Sequence, residues 1–177
     1  MEYNNLKMDY EGTFSLSWKK DADILSKIIK EIYSDVKIID ATAGVGGNSI
    51  SFGTYFSNVT SIEMDTERFN LLVDNLNTHN IKNKTINGNF LDYLDIDYNL
   101  IFIDLPWGGP SYKYKNSISL SIDNISLYDL IKKINNKIIV LKLPFNYDMN
   151  EFSQFNYTIY KINKYQVIII DCSLNRF

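Results

Sequence analysis

Short runs of apolar residues alternate along the chain with stretches in which apolar residues recur every three or four positions. The short runs are typical of buried strands, and the periodic stretches are typical of amphipathic helices. The predicted strands cover residues 36–40, 59–63, 84–87, 99–103, 137–141, 157–162 and 165–171. The predicted helices cover residues 21–33, 49–55, a segment after 66 with Thr66 as its N-cap, and 123–134.

The order of these elements predicts an α/β fold. Strands and helices alternate up to residue 141, which is typical of a parallel sheet with helices packed on its faces. Only Asn163 and Lys164 connect the last two strands, so this pair must be antiparallel. We therefore expect a single domain, with an N-terminal segment and helix at 1–34 and a core at 35–177 that contains a mainly parallel sheet closed by an antiparallel C-terminal hairpin.

Composition and charge exclude several classes of protein. The net charge of −3 is not that of a generally basic nucleic-acid binder, so any contact with RNA must be local. No apolar run is long enough to span a bilayer, and the N-terminus lacks a signal-peptide pattern. The single cysteine cannot form an internal disulfide, which fits a reducing compartment and argues against secretion.

A glycine-rich turn, DATAGVGGN at residues 40–48, follows the first strand. Its glycines permit a close approach of the backbone to a ligand, and the next helix offers free N–H groups. The spacing is neither that of a dinucleotide turn nor that of a phosphate loop, which argues against NAD and ATP. By itself such a turn binds a nucleotide, binds nothing, or merely connects two elements. However, Glu63 ends the next strand roughly 20 residues later, where an acidic residue typically holds ribose hydroxyls.

A second candidate site is the segment IFIDLPWGGP at residues 101–110. Its strand ends at Asp104, and ligands bind at loops that leave the carboxyl ends of parallel strands. A carboxylate, the backbone carbonyl of Leu105 and the indole of Trp107 would together hold a flat ring that bears an amine. The alternative is a Pro/Gly turn with a packed tryptophan.

The DLPW sequence resembles the (N/D/S)-P-P-(F/Y/W) motif of S-adenosylmethionine-dependent methyltransferases that act on exocyclic amines. The longer DLPWGGP, with Tyr112 beyond it, resembles the corresponding segment of trimethylguanosine synthases, the RNA cap guanine-N2 methyltransferases. DATAGVGGN and SIEMD are similar to the family's cofactor segments, and the resemblance covers most of residues 11–171. It implies a Rossmann-like class I methyltransferase with a seven-stranded sheet and helices on both faces.

The resemblance also implies a cofactor, a partner and a location. S-adenosylmethionine would be the cofactor, S-adenosylhomocysteine its product, and 7-methylguanosine (m7G) capped RNA the partner. We expect a monomer that needs neither membrane nor metal. It would act in the nucleus or cytoplasm of a eukaryotic cell and could be encoded by a virus replicating there.

Roles follow residue by residue from the same resemblance. The catalytic loop would comprise Asp104, Leu105, Pro106 and Trp107. The cofactor would be bound by Asp40, Ala41, Thr42, Gly44, Gly46, Asn48, Glu63, Met64, Asn89, Phe90 and Asp104. The substrate would be bound by Phe14, Ser15, Trp107, Tyr112, Lys113, Lys142 and Asn146. Phe14 could instead anchor a helix, and Phe90 could instead belong to the core.

Three positions depart from the family pattern. Leu105 replaces a proline, Asn89 replaces an aspartate that accepts from adenine, and Phe145 replaces an arginine expected at the cap phosphates, for which Lys142 could compensate. Two other functions therefore stay open. One is methylation of exocyclic amines on rRNA, tRNA or DNA bases, and the other is a cap-binding module with weak or no turnover. A methyltransferase-fold scaffold is a third interpretation.

Overall fold

The computed structural model describes residues 3, 5–134 and 136–172 of the 177-residue chain. Its strands, in chain order, are β1 Ile38–Asp40, β2 Val59–Glu63, β3 Lys84–Asn87, β4 Leu100–Ile103, β5 Ser121–Ile122, β6 Ile125–Ser126, β7 Ile138–Leu143, β8 Tyr157–Ile162 and β9 Tyr165–Asp171. Seven of them form one sheet in the order β3-β2-β1-β4-β7-β9-β8. Parallel pairing at β1–β2–β3 and antiparallel pairing of β9 with β7 and β8 confirm the predicted sheet type.

The helices account for most of the connections. They are α1 Gly12–Ser15, α2 Lys19–Tyr33, α3 Gly47–Tyr55, α4 Thr66–Thr78 and α5 Leu127–Lys133. Short 3-10 helices cover Phe90–Tyr93, Pro110–Tyr114 and Met149–Phe152. None of the helices in the described part of the chain has the length and apolar character needed to cross a membrane.

The chain forms two compact units, 1–100 and 101–177. In the first unit, the parallel register pairs Asp40 with Ser61 and Glu63 with Asn87. Both acidic residues thus end neighbouring strands at the same edge of the sheet. The predicted single-domain organisation, with its division at residue 35, stays a prediction.

The second unit contains the strand β7, which is apolar except for one charged residue. Its sequence IIVLKL is buried at every position, including Lys142. Strand β9 lies antiparallel beside it and pairs Lys142 with Val167. Since a charge is rarely buried without a partner, this strand must bring Lys142 to an acidic group.

The predicted helix at 123–134 is wrong in its first part. Residues 121–126 form the hairpin β5–β6, in which Asp123 and Asn124 have φ angles of 50° and 62°. Two successive left-handed residues make the tight turn whose twist matches paired strands, and aspartate and asparagine tolerate that conformation. The helix α5 begins only at Leu127, because Ser126 caps it by accepting from the backbone N–H of Asp129 at 3.1 Å.

The predicted N-cap of α4 is wrong by one residue. Asp65 is the capping residue, and its carboxylate accepts from the backbone N–H of Arg68 at 2.8 Å. Thr66 is already the first helical residue. Aspartate and threonine both cap helices well, so the sequence alone does not separate adjacent candidates.

Candidate functional site

The glycine-rich turn lies between β1 and α3 in the first unit. Gly44 and Gly46 have φ angles of 56° and 104°, in the region that disfavours other residues. A Cβ built at Gly44 would meet no atom within 4 Å, so the backbone there borders open space. At Gly46 a Cβ would lie 3.0 Å from the side chain of Leu72. The turn therefore has half-buried backbone beside open space at Gly44 and packs against the protein at Gly46.

Glu63 is held against this turn by backbone hydrogen bonds. One carboxylate oxygen accepts from the N–H of Gly44 and the other accepts from the N–H of Asp65, each at 2.9 Å. Glu63 is buried, yet each oxygen retains a lone pair that these bonds do not use. The carboxylate is consequently fixed in orientation and can still accept from a pair of ligand hydroxyls.

Asp40 and Asn48 lie on the two sides of the turn. Asp40 is fully buried, and its carboxylate accepts from the hydroxyl of Ser49 at 2.6 Å. The amide nitrogen of Asn48 donates to the hydroxyl of Ser17 at 2.9 Å, whereas its buried Oδ1 has no partner among the residues that the structure describes. A buried amide oxygen without a donor suits a ligand that brings an N–H or O–H group. Ala41 is buried and Thr42 is half-buried in the same turn.

Asn89 and Phe90, which are also predicted to bind the cofactor, lie shortly after β3. Asn89 accepts from the N–H of Leu91 at 3.1 Å and so caps the 3-10 helix that begins at Phe90. Phe90 is buried, which favours the core alternative for this ring. Met64, directly after β2, is 60% exposed, which leaves it accessible to a ligand.

In the second unit, Asp104 forms an ion pair with Lys142, with 2.6 Å between the carboxylate oxygen and Nζ. Lys142 is only 5% exposed. Burial raises the pKa of the Asp104 carboxyl, and the charge and hydrogen bond of Lys142 oppose that rise. Sequence reasoning missed this pair, although a single lysine inside the apolar strand β7 was a signal for a buried partner.

Two aromatic rings, those of Trp107 and Tyr165, lie close to the same lysine. Nζ of Lys142 lies 5.5 Å from the ring centroid of Trp107 and 4.9 Å from that of Tyr165. The ring of Tyr112 packs edge-on against Trp107 at 5.0 Å. The indole N–H of Trp107 is buried and lacks a hydrogen-bond partner within the described ranges. We name Trp107, Tyr112 and Tyr165 the aromatic cluster. Lys142 lies in the interior, paired with Asp104, and not at the surface where a phosphate would be bound.

The loop between Asp104 and Trp107 is anchored by the side chain of Leu105. Leu105 is 3% exposed and Pro106 is exposed. In the resembled motif a proline ring stiffens this position, whereas here a buried side chain does so by packing. The backbone carbonyl that the motif requires is present in either case.

The segment after Trp107 is held by Asn146. Its side-chain nitrogen donates to the carbonyl of Tyr112 at 2.9 Å and to that of Lys115 at 2.8 Å. These bonds fix the 3-10 helix Pro110–Tyr114, on which Lys113 is exposed. Asn146, predicted as a substrate residue, therefore orders the loop that bears other predicted substrate residues.

The two predicted substrate residues of the N-terminal segment lie on α1. Phe14 is 46% exposed and packs edge-on against Tyr10 at 5.3 Å. Ser15 is exposed, and its hydroxyl donates to the carbonyl of Glu11. Such exposure does not fit a buried helix anchor and leaves the ring of Phe14 accessible to a ligand. Across the described residues, no group of three or more His, Cys, Asp or Glu side chains could hold a metal ion.

Comparison with known proteins identifies relatives that are similar in sequence to this chain. An uncharacterized protein of Acanthamoeba polyphaga mimivirus is 35% identical over 139 residues, which is 73% of this chain and 54% of that protein. The trimethylguanosine synthase of Schizosaccharomyces pombe is 32% identical over 160 residues, which is 84% of this chain and 66% of that protein. The chain thus spans about half to two thirds of the length of these relatives.

The fold also has solved counterparts. A putative methyltransferase of Escherichia coli superposes with a TM-score of 0.59 at 16% identity, over 86% of each chain. That identity supports the fold alone. Residues 35–176 match the family model described as RNA cap guanine-N2 methyltransferase, which covers the glycine-rich turn, Glu63 and the DLPWGGP loop. The chain therefore belongs to the RNA cap guanine-N2 methyltransferase family.

Proposed function

We propose that the protein transfers a methyl group from S-adenosylmethionine to the exocyclic N2 of the guanine in an m7G RNA cap, giving dimethyl- or trimethylguanosine. The observation that carries this proposal is the ion pair in which the buried Lys142 holds Asp104, whose side chain is 17% exposed, at the start of a loop that leads to Trp107. A fixed acceptor and an aromatic face are what a flat ring with an exocyclic amine requires. Membership of the cap guanine-N2 family supports guanine as that ring.

The first unit fits the cofactor. Backbone at Gly44 borders open space, Glu63 has a fixed carboxylate, and Asn48 offers an amide oxygen without a partner in the described structure. Glu63 would accept from the ribose hydroxyls, Asn48 and the turn would bind the amino-acid part, and Met64 would cover the base. When bound, S-adenosylmethionine supplies a methyl group on a positively charged sulfur, so the protein needs no covalent intermediate.

The second unit fits the guanine. The N2 amine is a weak nucleophile because its lone pair is delocalised into the ring, so the site must orient it. Asp104 and the carbonyl of Leu105 would accept its two hydrogens. Burial raises the pKa of Asp104, and Lys142 opposes that rise by favouring the ionised carboxylate. Asp104 would then take the proton that the methylated nitrogen releases.

The test is methyl transfer from labelled S-adenosylmethionine to m7GTP, with GTP and ATP in parallel reactions. Transfer to m7GTP in preference to GTP, with none to ATP, is the expected result. Counting methyl groups on the product separates dimethyl- from trimethylguanosine. Transfer to rRNA, tRNA or DNA with none to m7GTP would replace the cap by another base substrate. Cofactor binding without transfer to any of these would indicate a larger RNA substrate or a missing partner. No cofactor binding at all would leave the cap-binding module or the scaffold.

Replacing Glu63 by alanine is expected to weaken the binding of S-adenosylhomocysteine about 10- to 150-fold. The change removes hydrogen bonds from a charged acceptor, worth about 1.5–3 kcal/mol. Isothermal titration calorimetry measures this affinity without the methyl-transfer reaction. Thr66→Ala, which changes an exposed residue three positions later, is the control. Equal affinity of Glu63→Ala and the wild-type protein would contradict the ribose role.

The rate of methyl transfer is expected to fall as the pH falls through the pKa of Asp104. Burial raises that pKa, so the acid limb of the pH–rate profile should lie above the range of an ordinary aspartate. Lys142→Met removes the charge that opposes the rise and should move the acid limb to still higher pH. A limb that stays in place after Lys142→Met would show that another group controls it.

Capped RNA is the proposed partner, and the proposed location is the nucleus or cytoplasm of a eukaryotic cell. Relatives from a yeast and from a virus of an amoeba support the location. The exposed Lys113 and Lys115 support contact with RNA beyond the cap, because the phosphate chain attracts lysines on either side of an exposed tyrosine, Tyr114. We propose that the protein acts as a monomer.

A further inference from the structure

Residues 5–17, which we call the N-terminal strap, run along the helix α4 within the first unit. The side chain of Asn75 exchanges two hydrogen bonds with the strap, accepting from the N–H of Lys7 at 2.8 Å and donating to its carbonyl at 2.7 Å. Asn75 is fully buried, and its Nδ2 also donates to the carbonyl of Val45 in the glycine-rich turn at 2.8 Å. One side chain thus joins the strap, α4 and the turn.

Arg68 makes the second attachment of the strap to α4. Its guanidinium donates to Asp9 through Nε and Nη2, at 3.0 and 2.9 Å, and from Nη2 to Glu11 at 2.7 Å. The other carboxylate oxygen of Asp9 accepts from the N–H of Gly12, where α1 begins. Despite the opposing effect of burial, these bonds lower the pKa of Asp9. Arg68 therefore fixes the part of the strap in which α1 begins.

The far end of the strap lies directly on the glycine-rich turn. A Cβ at Gly12 would come within 3.3 Å of the Val45 side chain, and a Cβ at Gly47 would come within 2.6 Å of the carbonyl of Ser17. The hydrogen bond between Ser17 and Asn48 also joins the strap to the glycine-rich turn. At Gly47 the backbone of the strap approaches the turn without room for a side chain, whereas a Cβ at Gly12 would first meet Asp9 and Met8 of the strap itself.

Arg68 is also connected to the carboxylate proposed for the ribose. Its backbone N–H donates to Asp65, and the N–H of Asp65 donates to Glu63. The same arginine thus continues a path from Glu63 through the first turn of α4 to the strap. Contacts therefore run from the strap through Arg68 and Asp65 to Glu63.

We propose that Arg68 is a positioning residue that holds the N-terminal strap on the glycine-rich turn, so that strap order and cofactor binding are coupled. The inference rests on the proposed function in one respect, namely that this turn binds S-adenosylmethionine. Coupling is reciprocal: if an ordered strap favours the cofactor, then the bound cofactor must order the strap. The strap also carries Phe14 and Ser15, the two predicted substrate residues of this segment.

The test compares Arg68→Ala with a matched control on the same two elements. Asp74 on α4 forms an ion pair with Lys7 of the strap at 2.7 Å, but the two side chains are 52% and 59% exposed. Since exposed pairs contribute little, Asp74→Asn should leave binding unchanged. Affinity for S-adenosylhomocysteine is measured by calorimetry, and hydrogen exchange of residues 5–17 is measured with and without that ligand.

For Arg68→Ala we expect at least about fivefold weaker binding, the lower range of typical coupling between sites. The ligand should slow strap exchange in the wild-type protein and do so much less in Arg68→Ala. Arg68→Lys retains the charge but not the two-pronged geometry, so an intermediate affinity is expected. A purely structural role would lower the melting temperature while leaving affinity and ligand-dependent exchange intact.

The possible failures are distinguishable. A wild-type protein that does not bind S-adenosylhomocysteine would overturn the proposed function itself. A wild-type protein that binds it, with Arg68→Ala binding equally well, would overturn only the inference. If Arg68→Ala does not fold, the double variant Asp9→Asn/Glu11→Gln removes the same ion pairs from the strap and is held to the same two criteria.

Discussion

Asp104→Asn is expected to lower kcat for methyl transfer to m7GTP by about 10²- to 10⁴-fold, the range of a lost general base. The amide keeps the size of the carboxylate, but it is a poor acceptor for a released proton and presents N–H groups to the substrate amine. Labelled transfer from S-adenosylmethionine measures the loss. Single-turnover rates at saturating cofactor separate it from weaker cofactor binding, which matters because Asp104 is also a predicted cofactor residue.

The ion pair with Lys142 complicates this variant and also supplies its control. Removing one member of a buried pair leaves the other charge uncompensated and costs up to about 3–5 kcal/mol of stability. Lys142→Met removes the second charge, so the double variant Asp104→Asn/Lys142→Met should regain melting temperature. It should not regain activity, because the proton acceptor is still missing. Recovery of activity together with stability would show that Asp104 has a structural role only.

The sequence predicted the parts of the site that depend on local pattern. Asp40 and Glu63 are the last residues of short strands and Asp104 directly follows one, and position at a strand end depends on the period and on the breakers that follow. The glycine-rich turn was recognisable for the same reason. The start of α5 could not be recognised in this way, because Ile125 fits the apolar stripe of a helix as well as a strand. Only the turn at Asp123 and Asn124 distinguishes the strand from the helix.

Pairings between distant positions could not be predicted. Lys142 and Asp104 are 38 positions apart, and Arg68 and Asp9 are 59 apart. Which charges meet across such separations depends on strand order and helix orientation, and one sequence offers many acidic candidates for each cation. The sequence predicts that Lys142 compensates for the arginine that Phe145 replaces. In the structure Lys142 is instead buried within the second unit and paired with Asp104.

Trp107→Ala is expected to raise the KM for m7GTP by about 5- to 150-fold, which corresponds to about 1–3 kcal/mol for a base stacked on an aromatic ring. The N7-methylated guanine carries a positive charge, so its stacking on Trp107 includes a cation–π attraction of about 0.5–2 kcal/mol that GTP lacks. The preference for m7GTP over GTP should therefore shrink by about 2- to 30-fold. Comparing kcat/KM for the two nucleotides measures that preference directly.

Two controls separate stacking from damage to the loop. Trp107→Phe keeps an aromatic face and should retain most of the preference, although it loses the indole N–H and some contact with Tyr112. Affinity for S-adenosylhomocysteine should be unchanged in both variants, because the residues proposed to bind most of the cofactor belong to the first unit. If Trp107→Ala weakened cofactor and m7GTP binding to the same extent, the tryptophan would support the fold of the loop and would not be the surface on which the cap stacks.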